Sequence, residues 1–219
     1  MNYDAVIFDF DGVLMDSGFD GFQWALEERR NTVEENNWDI NLDKLEQGIF
    51  QPHHTEDIKH RMEEDGVNWN QLREMEKAVA ERKVEMASSG DIKVFKDAEQ
   101  VLEDINLPIA VVSNAYKNYL EILLSELGIK DQVTFWNAPS LENIREYRNR
   151  MKPEPMMVEE ALEELGVENA IMVGDQIEDI LAARKAGIDS VYIDRSGDTE
   201  SKADYSIRSL KELPEILRD

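Results

Sequence analysis

The sequence predicts an α/β fold, a doubly wound parallel sheet with a helical insert placed after its first strand. Three observations predict it. Short apolar runs at 5–8, 109–112, 171–173 and 190–193, and a weaker one at 205–207, lack strict alternation, as strands covered on both faces do. Amphipathic stretches separate them, and strand–helix alternation is the pattern of an open parallel sheet. The rhythm breaks between 16 and 90, where helical patterns stand without strands.

The first strand, Ala5-Val6-Ile7-Phe8, runs straight into Asp9-Phe10-Asp11-Gly12-Val13-Leu14. Helical patterns follow at 19–31, 42–47, 55–64 and 69–86, broken near Gly48, Pro52 and Gly66. Ser88-Ser89-Gly90-Asp91 reads as the hinge of return. Helices at 98–105, 116–127, 155–165, 180–186 and 209–217 then alternate with the remaining strands. Gly128, Gly166 and Gly187 stand where three of them should stop. The expected domains are residues 1–15 and 91–219 as a Rossmann-like core and 16–90 as a small helical cap. An insert at that point covers the carboxyl edge of the sheet, where ligands bind in such folds. It is therefore a candidate lid, with its two connections as hinges.

A chain of 219 residues, 42% of them hydrophobic, is globular and long enough for a proper core. The absence of cysteine excludes a disulfide scaffold and a thiolate metal site. No apolar run approaches the ~20 residues that span a bilayer. The N-terminus lacks a basic segment leading into an apolar one, so no secretory signal is expected and a cytoplasmic location is. The 48 acidic residues outnumber the 24 basic ones, for a net charge of −24. That charge repels a nucleic-acid backbone. Spread along the whole chain, it reads as a solvated acidic surface or, more sharply, as adaptation to molar salt, where the Debye length shrinks to ~3 Å.

The chemistry gathers at strand ends. In a strand, residues i and i+2 point to one face, so Asp9 and Asp11 can aim at one point beyond the first strand. Two carboxylates so close cannot both ionise freely unless a cation intervenes. Gly12 lets the backbone turn and approach a ligand. Ser113-Asn114 follows the strand at 109–112, Lys152-Pro153 opens a helix near Pro155, and Gly174-Asp175-Gln176-Ile177-Glu178-Asp179 follows the strand at 171–173.

These four motifs, in this order, resemble the haloacid dehalogenase superfamily of phosphohydrolases. The resemblance covers essentially the whole chain and is strongest over 1–17 and 152–187. The insert looks like the helical cap of the phosphoglycolate phosphatase-like branch. The resemblance implies a Mg²⁺-dependent phosphatase acting on a small phosphorylated metabolite through an aspartyl-phosphate. Asp9 is then the nucleophile, and Asp11 the acid that protonates the leaving group and later the base that activates water. Gly12, Ser113 and Asn114 bind phosphate, and Lys152 neutralises charge on nucleophile and phosphoryl group. Asp9, the Asp11 backbone carbonyl and Asp175 hold the metal, with Asp179 in support. An all-oxygen site beside a phosphate suits Mg²⁺.

Plainer readings stand beside these. Ser113 and Asn114 can cap the helix that follows, which is compatible with an anion site. Asp179 can simply favour a helix N-terminus. His53, His54 and His60 read as solvated residues of the cap; Phe50, His53, His54 and Arg61 are candidates to face substrate. Arg145, Arg148 and Arg150 read as a patch paired with nearby glutamates, or as contacts to a second anionic group of the substrate. Within the family, Asp11 disfavours haloacid dehalogenation, and Gly21, where the mutase branch carries a histidine, disfavours β-phosphoglucomutase. Lys44 and Lys59 leave a phosphonatase open. A non-catalytic protein of the same fold should lack one of the motif residues, and none is missing.

Overall fold

The computed structural model describes residues 3–17, 22–41, 62, 66–143, 150–197 and 202–218. Along the chain run β1 (Ala5–Phe8), β2 (Met15–Asp16), α1 (Gln23–Glu35), α2 (Trp69–Ser89), β3 (Lys93–Val94), α3 (Lys96–Asp104) and β4 (Ile109–Val112). They are followed by α4 (Lys117–Glu126), β5 (Phe135–Asn137), α5 (Met156–Leu165), β6 (Ala170–Gly174), α6 (Ile177–Ala186), β7 (Asp189–Ile193), β8 (Tyr205–Ile207) and α7 (Leu213–Ile216). None of the described helices is long and apolar enough to cross a membrane.

Among the described residues, six strands form one sheet in the order β5-β4-β1-β6-β7-β8, and every pairing within it is parallel. β1 is central because all four of its residues are apolar and its two faces feed two cores. Val6 and Phe8 pack on one side with Val111, Val173 and Leu120. Ala5 and Ile7 pack on the other with Val112, Met157 and Ala182. Full burial of side chains like Ile7 and Phe8 is worth roughly 1.5–3 kcal/mol each, so this strand anchors the sheet. The chain leaves β1 for β4 on one side and later for β6 on the other. That reversal of strand order makes the crevice beyond β1 the place where such a sheet binds ligands.

The helices α1 and α2 pack together on a third apolar cluster that holds Val33, Leu72 and Met75 and reaches Tyr116 of the sheet domain. Asn68 starts α2 by accepting the Asn70 and Gln71 backbone N–H groups, while Gln71 accepts the Asn68 N–H. Gly90 ends it at φ 80°, a conformation that a side chain would strain.

The structure departs from the sequence expectation at several elements. β5 is an added edge strand, paired Ala110↔Phe135 to Val112↔Asn137. β2 and β3 form an antiparallel ladder of two pairs, Met15↔Val94 and Asp16↔Lys93, where only hinges were expected. α1 spans Gln23–Glu35 rather than 19–31, and the chain turns out of it at Asn37, φ 52°. α6 starts at Ile177, earlier than 180, because Asp179 accepts the Gln176 N–H and closes its first turn. The predicted helix at 209–217 is a 3₁₀ turn at Leu210–Glu212 followed by α7, since Pro214 has no N–H for a continuous helix. The helices expected at 42–47 and 55–64 lie outside the described residues apart from Met62, as do Gly21, Lys44, Phe50, His53, His54, Lys59, His60, Arg61, Arg145 and Arg148.

Candidate active site

Asp9, Ser113 and Asp175 each stand immediately beyond a strand, β1, β4 and β6 respectively. The parallel register Phe8↔Val111 and Phe8↔Val173 brings these three ends to one edge. Asp9 is pinned there by its N–H, which donates to the Val173 carbonyl at 2.9 Å. Lys152 arrives from the segment before α5. Its ammonium lies 2.6 Å from Asp9 Oδ1 and 2.6 Å from Asp179 Oδ1, and donates to the Val112 carbonyl at 2.9 Å. All three side chains are buried.

Burial is the largest influence on Asp9 and pushes its pKa well above the ordinary value. Lys152 opposes that shift, while Asp179 and Asp175 add to it. Burial also works against a charged Lys152, but Asp179 and Asp9 outweigh it and hold the ammonium's pKa above the usual lysine value. The carboxylates that crowd Asp9 are thus Asp179 and Asp175. This revises the picture of two aspartates crowding one another, because the strand ends at Phe8 and Asp11 is drawn aside. The Asp11 carboxylate is bound by Lys83 of α2 and accepts the Ser17 hydroxyl at 2.5 Å.

Asp175 Oδ2 accepts the Gln176 side-chain N–H at 3.0 Å, whereas its buried Oδ1 has no hydrogen-bond partner among the described residues. Burial raises its pKa to about 6, against the pull of Gln176 and of Lys152, with Asp179 and Asp11 adding to the rise. Carboxylate oxygens of Asp9, Asp175 and Asp179 lie within 4.8 Å of one another. An orphaned buried oxygen in a set of oxygen donors fits a hard divalent cation such as Mg²⁺. Asp179 is engaged twice, by Lys152 and by the Gln176 N–H, so it holds the lysine as well as belonging to the acidic cluster. Gly12, at φ 74°, presses against the Asp175 carboxylate so closely that any Cβ would overlap it.

Ser113 and Asn114 sit where expected, with different immediate tasks. Ser113 Oγ accepts the Ala115 N–H at 3.0 Å, which leaves its hydroxyl hydrogen to donate elsewhere. The Asn114 amide grips the Lys152 backbone, donating to its carbonyl at 3.0 Å and accepting its N–H at 2.9 Å. The Asn114 side chain therefore positions the lysine. Arg150 pairs with Glu160, in keeping with the glutamate-paired reading of that patch.

Above these groups lies a cavity of about 580 Å³ whose floor includes Asp9, Asp11, Ser113 and Lys152 and whose roof is formed by α1 and α2. The roof brings residues that sequence reasoning missed. Lys83 touches Asp11, and Arg29 pairs with Glu76 at 2.9 Å beside Tyr116. Charged residues on amphipathic helices look like solvated surface in a sequence, so no local signal marked them.

A sheet with a buried lysine between two aspartates at its carboxyl edge, roofed by helices inserted after β1, defines a class. Residues 3–187 match the family of haloacid dehalogenase-like hydrolases, and the chain belongs to it. It is 33% identical over 129 residues to the phosphoglycolate phosphatase of Neisseria meningitidis, a match covering 54% of this chain and 52% of that protein. It is 32% identical over 74 residues to D-glycero-beta-D-manno-heptose-1,7-bisphosphate 7-phosphatase of Pasteurella multocida, covering 31% of this chain and 40% of that one. The chain thus spans about half or less of the length of these curated relatives. Among solved structures, CbbY from Rhodobacter sphaeroides in complex with phosphate superposes with TM-score 0.72 at 19% identity, covering 96% of each chain. A HAD phosphatase from Thermococcus onnurineus superposes with TM-score 0.64 at 23% identity, covering 98% of this chain and 97% of that one. These two likenesses establish the fold.

Proposed function

We propose that the chain is a Mg²⁺-dependent phosphatase of small phosphate monoesters, similar to phosphoglycolate phosphatase. The observation that carries this reading is the buried ammonium of Lys152 held between Asp9 and Asp179, beside the orphaned oxygen of Asp175. A phosphate dianion entering this acidic edge needs positive charge, and phosphate monoesters are among the slowest substrates to hydrolyse unaided.

In this reading an Asp9 carboxylate oxygen attacks phosphorus and the bond to the leaving oxygen breaks. Asp11 gives its proton to that oxygen, leaving an aspartyl-phosphate on Asp9. The Asp11 carboxylate then takes a proton from the water that attacks phosphorus, and Asp9 is freed. Lys152 stays charged throughout and offsets the negative charge that grows around Asp9. The Ser113 hydroxyl donates to a phosphoryl oxygen. Asp9, Asp175 and the Asp11 backbone carbonyl would hold Mg²⁺, which when bound supplies further positive charge to the phosphoryl oxygens. Residues 16–90 act as the cap and exclude water from the cavity. The acidic surface, net −24, suits a cytoplasm rich in salt.

A panel of phosphorylated metabolites, phosphoglycolate included, assayed with Mg²⁺ in molar KCl tests the reading. Wild type should release phosphate, whereas Asp9→Asn should fold normally and release none. Wild-type turnover that persists in excess EDTA would remove the metal from the proposal. A wild type inert across the panel would remove the phosphatase itself.

A further inference from the structure

One cation in this part of the molecule takes no part in the chemistry outlined above. Arg195 lies just beyond β7, on a turn organised by Asp194. Asp194 Oδ1 accepts the backbone N–H groups of Ser196 at 3.1 Å and Gly197 at 2.8 Å. The turn directs the Arg195 guanidinium back under the Asp11 loop. There Nε donates to the Gly12 carbonyl at 3.1 Å and Nη2 to the Val13 carbonyl at 2.8 Å. Its third edge, Nη1, forks onto both oxygens of Asp97 at 2.9 and 3.2 Å. The guanidinium also stacks 3.7 Å over the Phe95 ring, and Phe95 itself donates its N–H to the Leu14 carbonyl at 3.0 Å.

We propose that Arg195 is the positioning residue of the Asp11–Val13 turn: by gripping two consecutive carbonyls it sets where Asp11 and Asp175 stand, and so sets cation affinity and turnover. The grip bears on the site because Gly12 is packed directly on the Asp175 carboxylate. A turn pulled toward Arg195 keeps Gly12 seated there, and the Asp11 peptide next to Gly12 keeps its orientation. Arginine suits this task because its planar fork presents fixed donors in three directions at once, which a lysine cannot reproduce. Asp97 secures the far side. It accepts the Ser209 hydroxyl at 2.7 Å and the Leu210 N–H at 3.0 Å, tying the guanidinium to the C-terminal segment. The two neighbours therefore have separable roles, since Arg195 grips the loop carbonyls directly and rests on Phe95, whereas Asp97 chiefly ties that part of the molecule to the C-terminal segment.

The inference rests on the metal-dependent reading of the site, and its test reads metal binding apart from catalysis. Mg²⁺ binding by calorimetry, thermal unfolding, and kcat and KM on p-nitrophenyl phosphate are measured for wild type, Arg195→Met, Arg195→Lys and Asp97→Asn. Arg195→Met should weaken Mg²⁺ about tenfold or more and lower kcat at saturating Mg²⁺ by a similar factor, as outer-shell changes do, with KM nearly unchanged. Arg195→Lys should fall between, about threefold weaker. Asp97→Asn should lower the melting temperature yet keep Mg²⁺ affinity within about twofold of wild type. Should Arg195→Met not fold, the contrast between Arg195→Lys and Asp97→Asn decides. Wild-type Mg²⁺ affinity in the Arg195 variants overturns the proposal, and so does an equal loss in Asp97→Asn. A wild type that binds Mg²⁺ but releases no phosphate overturns the phosphatase and leaves Arg195 in its role. A wild type that binds no Mg²⁺ overturns both.

Discussion

Lys83 of α2 pairs with the carboxylate of Asp11, 72 residues earlier in the chain, and so joins the helical roof to the loop beyond β1. Both groups line the cavity, and the Lys83 ammonium also stands 5.9 Å from the centre of the Phe10 ring. The proposed general acid is thus held from the roof and not only from its own loop. Replacing Lys83 removes the one ammonium paired with Asp11 among the described residues. Lys83→Met should lower kcat by about tenfold to a hundredfold while leaving the fold intact, because a misplaced acid loses most of its advantage. Equal kcat in wild type and Lys83→Met would mean that the pair is incidental to turnover.

Asp97 contributes to stability on the acid side. Burial raises its pKa, but the bonds from Arg195, Ser209 and Leu210 outweigh burial and hold it below the ordinary value. A lowered folded pKa contributes stability that is fully present above the unfolded value of about 4 and is lost as pH falls through the lower folded one. Asp97→Asn should therefore be less stable than wild type by roughly 1–3 kcal/mol at pH 7. The gap should stay constant down to about pH 5 and narrow below pH 4. Urea unfolding at stepped pH measures it, and a gap unchanged at pH 3 would contradict the assignment.

Asp175 predicts the opposite slope for the metal-free protein. Its pKa is pushed up to about 6, chiefly by burial. A raised folded pKa contributes stability that is present below the unfolded value and lost as pH rises through 6. Mg²⁺ competes with the proton for the same carboxylate, so its stabilising effect should grow as pH rises from 5 to 7. Melting temperatures with and without Mg²⁺ at each pH test this, and a constant difference would exclude Asp175 as a ligand.

A net charge of −24 sets the fourth expectation. Screening of surface repulsion should raise the melting temperature as KCl rises from 0.1 to about 2 M, where the Debye length falls from ~10 Å to below ~3 Å. The same series with activity as readout tests the salt-adapted reading. A protein most stable and active in dilute buffer would argue that its acidic surface serves solubility alone.

The four central strands were legible because burial on both faces demands apolar runs, continuous in β1, β4 and β6 and reduced to Val191-Tyr192-Ile193 in β7. β5 was not, since three residues at an edge, ending in Asn137, present no such run. At the site, the positions of Asp9, Lys152 and Asp175 were legible through the ordered motifs, although Lys152 meets Asp9 across 143 residues. The tasks of Asn114 and Asp179 were only half legible, because each contributes to a turn and also holds Lys152. Lys83 and Arg195 left no trace in the pattern. Their partners come from distant elements, and one lysine or arginine among 24 basic residues carries no mark of the carbonyl or carboxylate it will meet.

The ladder of β2 and β3 has a consequence for how such a molecule diversifies. Met15 and Asp16 lie directly against Val94 and Lys93, so the polypeptide departs from the sheet and rejoins it at neighbouring points. Asp9, Lys152 and Asp175 lie outside that loop of chain, whereas Lys83, which holds Asp11, lies within it. A graft of a foreign helical segment at these two crossing points should keep the proposed reaction only where it again sets an ammonium against Asp11, as Lys83 does. The molecule is in this respect two parts joined at one seam, a sheet edge that gathers Asp9, Lys152 and Asp175 and a pair of helices that reaches it through the Lys83–Asp11 pair.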